Sequence, residues 1–249
     1  MLVVKYAVVK YSTEYDPAPL LPLFDNIPTR RLPLVTYGLI VANFAVWLWE
    51  LGARAGRIDH YAFYPCAVTA PCLGAARDHV PWPEGTVTGM FMHASWVHIL
   101  GNMLFLFIFG NNVEDVMGRL RFLVFYLAGG FAAALTQTWV TIHWSGPAAA
   151  SIPTVGASGA IAAVLGAYLV LLPHARVFTL LFGFLPWRLS AGFFLIAWFL
   201  FQLWQSNFSA THPEQAGGVA FAAHVGGFVF GFLAIKLFQV RPPLEPRRR

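Results

Sequence analysis

Charged residues are scarce in this sequence. Only 11% of its 249 residues are Asp, Glu, Lys or Arg, whereas 58% are hydrophobic. A soluble domain usually carries about a quarter charged residues, which cover its apolar core. The composition therefore excludes an ordinary soluble domain and makes the lipid bilayer the expected partner. The net charge of +5 does not indicate nucleic-acid binding, because most basic residues flank apolar runs.

Cysteine is almost absent as well. Cys66 and Cys72 are the only two, and both lie in one polar segment that contains prolines. They could pair in an oxidising compartment or stay two free thiols, and their spacing does not decide between these alternatives. A signal-peptide pattern is also missing. The short apolar stretch at the start is interrupted by Lys5 and Lys10, so we expect no cleaved leader.

Long apolar runs are what the sequence does contain. A bilayer core of about 30 Å needs about 20 apolar residues per helix, and six runs reach this length. They cover residues 33–52, 91–110, 122–142, 154–172, 189–206 and 219–239. We therefore predict an all-α membrane protein whose six-helix bundle covers 33–240, between an N-terminal segment, 1–32, and a basic tail, 241–249. The longest connection, 53–90, is predicted to be an ordered external loop.

Basic residues are distributed unequally over the two sides of this predicted bundle. With the N-terminus in the cytoplasm, thirteen of the sixteen Lys and Arg residues fall on the cytoplasmic side. The other three are Arg54, Arg57 and Arg77 in the long loop. Positive charge is enriched on the cytoplasmic side of membrane proteins. The pattern predicts that both termini are cytoplasmic and that spans two, four and six run from outside to inside.

Three of these spans begin with polar side chains, which are costly in lipid and usually mark a functional site. The second opens with FMHASWVHILGN, which contains His93, His98 and Asn102. The fourth opens with TVGASGA around Ser158, and the sixth opens with GGVAFAAHVGG around His224. At 1.5 Å per residue, His98, Ser158 and His224 lie roughly 6 to 11 Å from the outer ends of their helices. The sequence therefore predicts one site in the outer third of the membrane.

The residue types in this site are those of acyl-transfer chemistry. A serine hydroxyl becomes a good nucleophile near pH 7 when a histidine takes its proton, so Ser158 and His224 are the candidates. No carboxylate was found to orient His224, and a buried anion is costly in lipid, so a two-residue catalytic unit is predicted. Backbone amides at Ser158 could bind the negative charge of the transition state. His98 and Asn102 are four apart on one helical face and could bind the same oxygen. No cofactor or metal is expected.

Each of these side chains, taken alone, has a simpler interpretation. A membrane serine usually bonds to the carbonyl one turn back, and membrane histidines and asparagines often link helices. The shared depth of the polar groups favours a site. The neighbouring small residues are explained by close packing of spans four and six alone. They are Gly159, Ala163 and Ala167 on span four, and Gly227 and Gly231 on span six.

Three ordered motifs resemble those of the rhomboid intramembrane proteases, across about residues 33–240. HASWVHILGN is similar to the family's helix with two histidines and an asparagine, GASGA to its GxSG motif, and AHVGGFVFG to its AHxxGxxxG motif. The resemblance implies that Ser158 is the nucleophile and His224 the general base. It implies an oxyanion site formed by His98, Asn102 and the backbone around Gly156 and Ser158.

Four further residues are expected to support the site structurally. GNNVEDVMGR resembles the segment that follows the family's second span, where Glu114 would be an anchor at the inner face. His93 lies nearer the surface and is expected to shape the adjoining loop. Gly227 and Gly231 are expected to let the helices pack closely.

The resemblance implies an intramembrane serine endopeptidase of the plasma membrane, with its active site open to the external side. Its expected substrates are single-span or membrane-anchored proteins, cleaved near the outer membrane face. One alternative is a non-catalytic rhomboid-like protein that binds or escorts membrane proteins. A second is a haem or metal protein that uses the three histidines, which the expected lack of a nearby carboxylate disfavours. A third is a transporter, but the sequence shows no inverted repeat.

Overall fold

The computed structural model describes residues 20–52, 54–69, 71–181, 183–211 and 220–245. The helices within these ranges are α1 (Leu34–Glu50), α2 (Arg54–Tyr61), α3 (Cys66–Thr69), α4 (Trp82–Gly89), α5 (Trp96–Phe105), α6 (Asn111–Met117), α7 (Arg119–Val140), α8 (Gly146–Ala150), α9 (Ser158–Leu171), α10 (Ala191–Thr211) and α11 (Phe221–Phe238). Two π-helical turns, Leu106–Gly110 and Thr141–Ser145, join α5 to α6 and α7 to α8. A short 3-10 helix covers Gly74–Arg77.

An apolar helix occupies each of the six intervals that the sequence predicted as spans. In the described part of the chain, three continuous helical segments are long and apolar enough to cross a membrane: Trp96–Met117, Arg119–Ala150 and Phe221–Phe238. Helices α1 and α9 are apolar but shorter. The structure describes only some of the basic residues on which the predicted orientation rests. Lys5, Lys10 and the last three arginines lie outside the described residues.

Helix α9 lies at the centre of the bundle. Its sequence, SGAIAAVLGAYLVL, is apolar on every face, which is typical of a helix enclosed by other helices. Residues 159–168 are all buried. Helices α7 and α11 pack against it. The start of α9, which carries Ser158, is therefore held by a rigid and fully packed element.

Glu114 of α6 anchors the start of α1. Its carboxylate accepts hydrogen bonds from the backbone N–H of Val35 at 3.1 Å and of Thr36 at 2.8 Å, and from the Thr36 hydroxyl at 2.7 Å. The first amides of a helix have no partner within the helix, and a negative charge near them is favourable. Beside this cap, Arg30 and Asp115 form a salt bridge at 2.7 Å. These contacts join α1 to α6 at one end of the bundle.

The fold is mostly helical, as predicted, but a three-stranded antiparallel sheet shows that it is not all-α. It consists of β1 (Leu20–Asp25), β2 (Arg176–Leu181) and β3 (Leu185–Ser190), in that spatial order. Strands β2 and β3 form a hairpin between α9 and α10, mostly in the interval between the predicted fourth and fifth spans. Strand β1 lies in the N-terminal segment, and its Leu20 pairs with Leu181 of β2. No local sequence pattern reveals a pairing between such distant segments.

The long connection 53–90 contains three short helices and the 3-10 helix, and it carries a disulfide between Cys66 and Cys72. The structure thus selects the paired alternative for the two cysteines. This segment also holds the residues that precede α9. The backbones of Phe63 and Thr154 exchange hydrogen bonds of 3.2 and 2.8 Å, and the N–H of Gly156 donates to the carbonyl of Gly89 at 2.8 Å. The chain that leads into Ser158 is therefore held by backbone contacts.

Candidate active site

Ser158 and His224 lie at the starts of two packed helices. Ser158 is the first residue of α9, and His224 lies in the first turn of α11. The Nε2 atom of His224 is 2.7 Å from the Oγ atom of Ser158, within hydrogen-bond distance. Both side chains are partly exposed, so a reactant can reach them. The arrangement can pass the hydroxyl proton to the imidazole while the oxygen attacks a carbonyl carbon.

Close packing of α9 and α11 brings these two side chains together. A Cβ atom added to Gly227 would meet the carbonyl oxygen of Gly159, and one added to Gly231 would meet that of Ala163. Backbone therefore lies directly on backbone along this contact, as small residues permit in membrane helices. The short distance between the backbones of α9 and α11 therefore sets how far His224 lies from Ser158.

Gly156 lies opposite the side chains of His98 and Asn102. Its φ of +121° is a conformation that side-chain-bearing residues rarely adopt. A Cβ atom at this position would lie 2.6 Å from Nε2 of His98 and 3.6 Å from Nδ2 of Asn102. The N–H of Ala94 donates to Nδ1 of His98 at 3.4 Å, which leaves the ring proton on Nε2. Two side-chain donors thus face the space beside the loop that precedes Ser158.

Asn102 is held by His93. The Nδ2 atom of Asn102 donates to Nε2 of His93 at 3.0 Å, and Nδ1 of His93 donates to the carbonyl of Phe91 at 3.2 Å. The two carboxylate oxygens of Glu50 each lie 3.3 Å from the backbone N–H of His93. Glu50 is completely buried at the end of α1. The expectation that no carboxylate lies near the histidines is therefore wrong for His93, because the end of the first helix brings Glu50 next to it.

Gln202 of α10 is a second polar residue that the sequence analysis missed. Its Oε1 atom lies 2.7 Å from Nδ1 of His224, and its side chain is buried. The indole of Trp198, one turn earlier on α10, lies 5.9 Å from the His224 ring between centroids. Gln202 falls in the predicted fifth span, LSAGFFLIAWFLFQLWQS. The rule that polar residues in spans are informative also applies to Gln202, although it does not lie at the start of a span.

Glu114 does not lie near the site, although it was grouped with the residues expected to support it. Its carboxylate binds the first turn of α1, whereas Glu50, next to His93, ends the same helix. The sixteen residue steps of helix between these ends correspond to about 24 Å. Glu114 therefore stabilises the opposite end of the bundle.

These features define a helical membrane protein with a serine and a histidine paired between two tightly packed helices. A family model described as "Rhomboid domain" matches residues 83–240, more than half of the chain. The chain therefore belongs to the rhomboid family.

Three relatives illustrate the similarity. Rhomboid protein 1, mitochondrial, of Saccharomyces cerevisiae is 29% identical over 222 residues, which cover 85% of this chain and 56% of that protein. RHOMBOID-like protein 12, mitochondrial, of Arabidopsis thaliana is 26% identical over 203 residues, covering 76% and 56%. A candidate rhomboid protease of Bacillus subtilis, YdcA, is 33% identical over 153 residues, covering 58% and 66%. The chain thus spans about half the length of the first two.

The predicted plasma-membrane location is wrong. The yeast and Arabidopsis relatives are both named as mitochondrial proteins, and so are two presenilin-associated rhomboid-like relatives. Span lengths and basic residues orient helices in a bilayer, but they do not identify which membrane the bilayer belongs to. What stands from the prediction is that the chain is a membrane protein.

Proposed function

We propose that this chain is an intramembrane serine endopeptidase that uses Ser158 and His224 as a catalytic dyad. The observation that carries the proposal is the 2.7 Å contact between Oγ of Ser158 and Nε2 of His224, within a bundle of apolar helices. Membership of the rhomboid family supports the same reaction. The substrates would be single-span or membrane-anchored proteins, since the dyad lies at the ends of helices that are embedded in lipid.

The reaction would proceed in two stages. The Ser158 hydroxyl gives its proton to Nε2 of His224 while its oxygen bonds to the carbonyl carbon of the substrate peptide. The carbon–nitrogen bond then breaks, and the amine leaves with the proton from His224. In the second stage His224 takes a proton from water, whose oxygen attacks the acyl-enzyme ester. The ester bond breaks, and Ser158 regains its proton as the carboxylic product leaves.

His98 and Asn102 would stabilise the negative charge that develops on the carbonyl oxygen. Both side chains direct nitrogen atoms toward the space next to Gly156, from which the chain leads into the Ser158 amide. Donors that are held in place before the reaction stabilise an oxyanion without reorganisation. His93 would be a positioning residue, because it binds the Asn102 amide and would act on the reaction only through Asn102.

The proposal includes six membrane crossings, made by α1, the segment Trp96–Met117, α7, α9, α10 and α11. Contacts at the end of the bundle opposite the dyad support this arrangement. Glu114 binds the start of α1, and the N–H groups of Val240 and Arg241, just after α11, donate to the carbonyl of Val116. The dyad lies at the other end of the same helices. Cleavage is therefore proposed near one membrane face, with the start of α1 and the end of α11 on the opposite, more basic face.

The decisive experiment compares the wild type with Ser158→Ala and His224→Ala in detergent. Each protein is incubated with a single-span substrate and, separately, with a fluorophosphonate that labels reactive serines. We expect the wild type to cleave and to be labelled, and both variants to do neither while keeping their helical circular dichroism. Asn102→Ala should retain more activity than His224→Ala, because one of several oxyanion donors is lost.

Asn111→Ala is a matched control, since Asn111 lies on the same long helical segment but away from the dyad. It should cleave like the wild type. If the wild type neither cleaves nor is labelled, the protease proposal is contradicted, and the alternative of a rhomboid-like protein that binds or escorts membrane proteins is favoured. Equal cleavage by wild type and Ser158→Ala would show that another residue is the nucleophile.

A further inference from the structure

We infer that Gln202 is a positioning residue for His224 and takes the place that a carboxylate occupies in serine hydrolases with a third catalytic member. The inference rests on the proposed dyad. It starts from one contact, the 2.7 Å between Oε1 of Gln202 and Nδ1 of His224. The other ring nitrogen of His224, Nε2, lies 2.7 Å from Ser158. The imidazole is therefore bound at both nitrogens, by α10 on one side and by α9 on the other.

The contact with Gln202 selects the tautomer that the reaction needs. An amide oxygen only accepts, so Nδ1 of His224 must carry the proton that it donates. In the neutral ring the proton can be on one nitrogen only, so Nε2 is left with its lone pair facing the Ser158 hydroxyl. When Nε2 takes the serine proton, the same amide oxygen still accepts from Nδ1 of the charged ring.

A glutamine suits this position better than a carboxylate because of where the site lies. Gln202 is only 4% exposed, and an unpaired or weakly paired carboxylate in such surroundings carries a large desolvation cost. A neutral amide accepts the same hydrogen bond at a smaller desolvation cost. It gives less stabilisation to the protonated ring, but it keeps the orientation and the tautomer.

Helix α10 holds His224 with two residues on one face. Trp198 and Gln202 are four positions apart, so both side chains project from the same side of the helix. The Trp198 ring lies against the imidazole at an interplanar angle of 34°, and the Phe221 ring meets its edge with centroids 6.2 Å apart. Packing thus restricts rotation of the ring, and Gln202 determines which nitrogen is protonated.

The test uses two substitutions of Gln202 with similar volume. Gln202→Leu removes the acceptor, and Gln202→Glu keeps an oxygen in the same place in either protonation state. We expect Gln202→Leu to lower kcat about 10- to 100-fold with little change in KM, as for other hydrogen-bond partners that orient functional histidines. Fluorophosphonate labelling should slow in parallel, and Gln202→Glu should recover most of the loss.

Gln137→Leu is the matched control. Gln137 also binds α11 at the site end, because its Oε1 accepts from the N–H of Ala223 at 3.1 Å, but its Nε2 donates to the Thr141 hydroxyl and not to the His224 ring. If Gln202 only packs, the Leu variants at 137 and 202 should lose similar activity and Gln202→Glu should restore none. That result, or wild-type kcat in Gln202→Leu, would overturn the inference.

A measurement without turnover separates this inference from the proposed function. The ¹⁵N chemical shifts of labelled histidine report which ring nitrogen is protonated, and the His224 signal is assigned by its absence in His224→Ala. The wild type should show a proton on Nδ1, and Gln202→Leu should shift the population toward Nε2. If Gln202→Leu changes the tautomer although the wild type does not cleave any substrate, the role of Gln202 stands and the protease proposal fails. An unchanged tautomer in Gln202→Leu would refute the role of Gln202 even in an active enzyme.

Discussion

Gly227 of α11 lies directly against the carbonyl oxygen of Gly159 in α9, so that no Cβ atom fits between the two helices. Gly159 immediately follows Ser158, and Gly227 lies three residues after His224. The packing of two glycines therefore controls the distance between the two groups that are proposed to react. Because the obstacle is backbone rather than a flexible side chain, it cannot move aside without shifting a helix.

Gly227→Ala should both destabilise the bundle and reduce cleavage. The added methyl group must push α11 away from α9, at a cost of about 1 to 3 kcal/mol for an overpacked core. Thermal unfolding in detergent and the cleavage rate per folded molecule measure the two effects. Gly38→Ala is the control, because no atom lies within 4 Å of a Cβ built there and alanine favours helix. Wild-type activity in Gly227→Ala would show that the helices can separate without affecting the dyad.

Gly156→Ala should abolish most activity through the oxyanion side of the site. Its Cβ would lie 2.6 Å from Nε2 of His98, so His98 must move. Loss of one oxyanion donor typically costs about 100-fold in kcat, which the cleavage assay detects. Gly146→Ala separates this effect from backbone strain, since Gly146 also has a positive φ, +80°, but no neighbour within 4 Å of its Cβ. If both variants lose similar activity, the effect of Gly156→Ala is explained by backbone strain rather than by displacement of His98.

Glu114→Gln should reduce stability and leave the chemistry intact. The glutamine keeps one acceptor oxygen but directs an NH₂ group at donors of Val35 and Thr36. A buried donor without an acceptor costs about 1 to 3 kcal/mol, so the unfolding temperature should fall. The fluorophosphonate labelling rate of the folded protein should stay the same, because the dyad lies at the other end of the bundle. Glu84→Gln, at an exposed position in α4, should change neither property.

Asp25 should make the stability of the fold depend on pH. Burial raises the pKa of Asp25 from 3.8 to about 6, although hydrogen bonds from the Tyr168 hydroxyl, the Ile27 N–H and the Asn112 amide oppose the shift. Between these two values the folded state keeps a proton that the unfolded state has released. The free energy of unfolding should therefore fall as the pH rises through this window and then level off above about pH 6.

Thermal unfolding between about pH 4 and 7 measures this dependence. Asp25→Asn should flatten the curve, because the group no longer titrates. Glu84→Gln is the control, since Glu84 lies at an exposed position in α4, and the slope should persist in this variant. A slope that persists in Asp25→Asn would assign the dependence to another group.

The residues that the sequence alone could propose for the site are those whose chemistry lipid disfavours. Ser158, His98, Asn102 and His224 could be selected because a polar group in a span is costly and therefore rare. Glu50 and Gln202 follow the same rule, but they lie away from the starts of the second, fourth and sixth spans, so the argument from a shared depth did not include them. The glycine pairs could be identified as packing positions. The carbonyl that each glycine contacts could not be predicted, because it belongs to a different helix.

What the sequence by itself determined is the membrane environment, the intervals of the apolar helices and the short set of polar residues within them. These follow from hydrophobicity along a single segment, which is a local property. Only the tertiary structure decided the β1–β2 pairing, the contact of Glu114 with α1 and the approach of Gln202 to His224. Each joins segments that are far apart in the chain, and their geometry depends on how the packed helices fill space together rather than on the residues of any one of them.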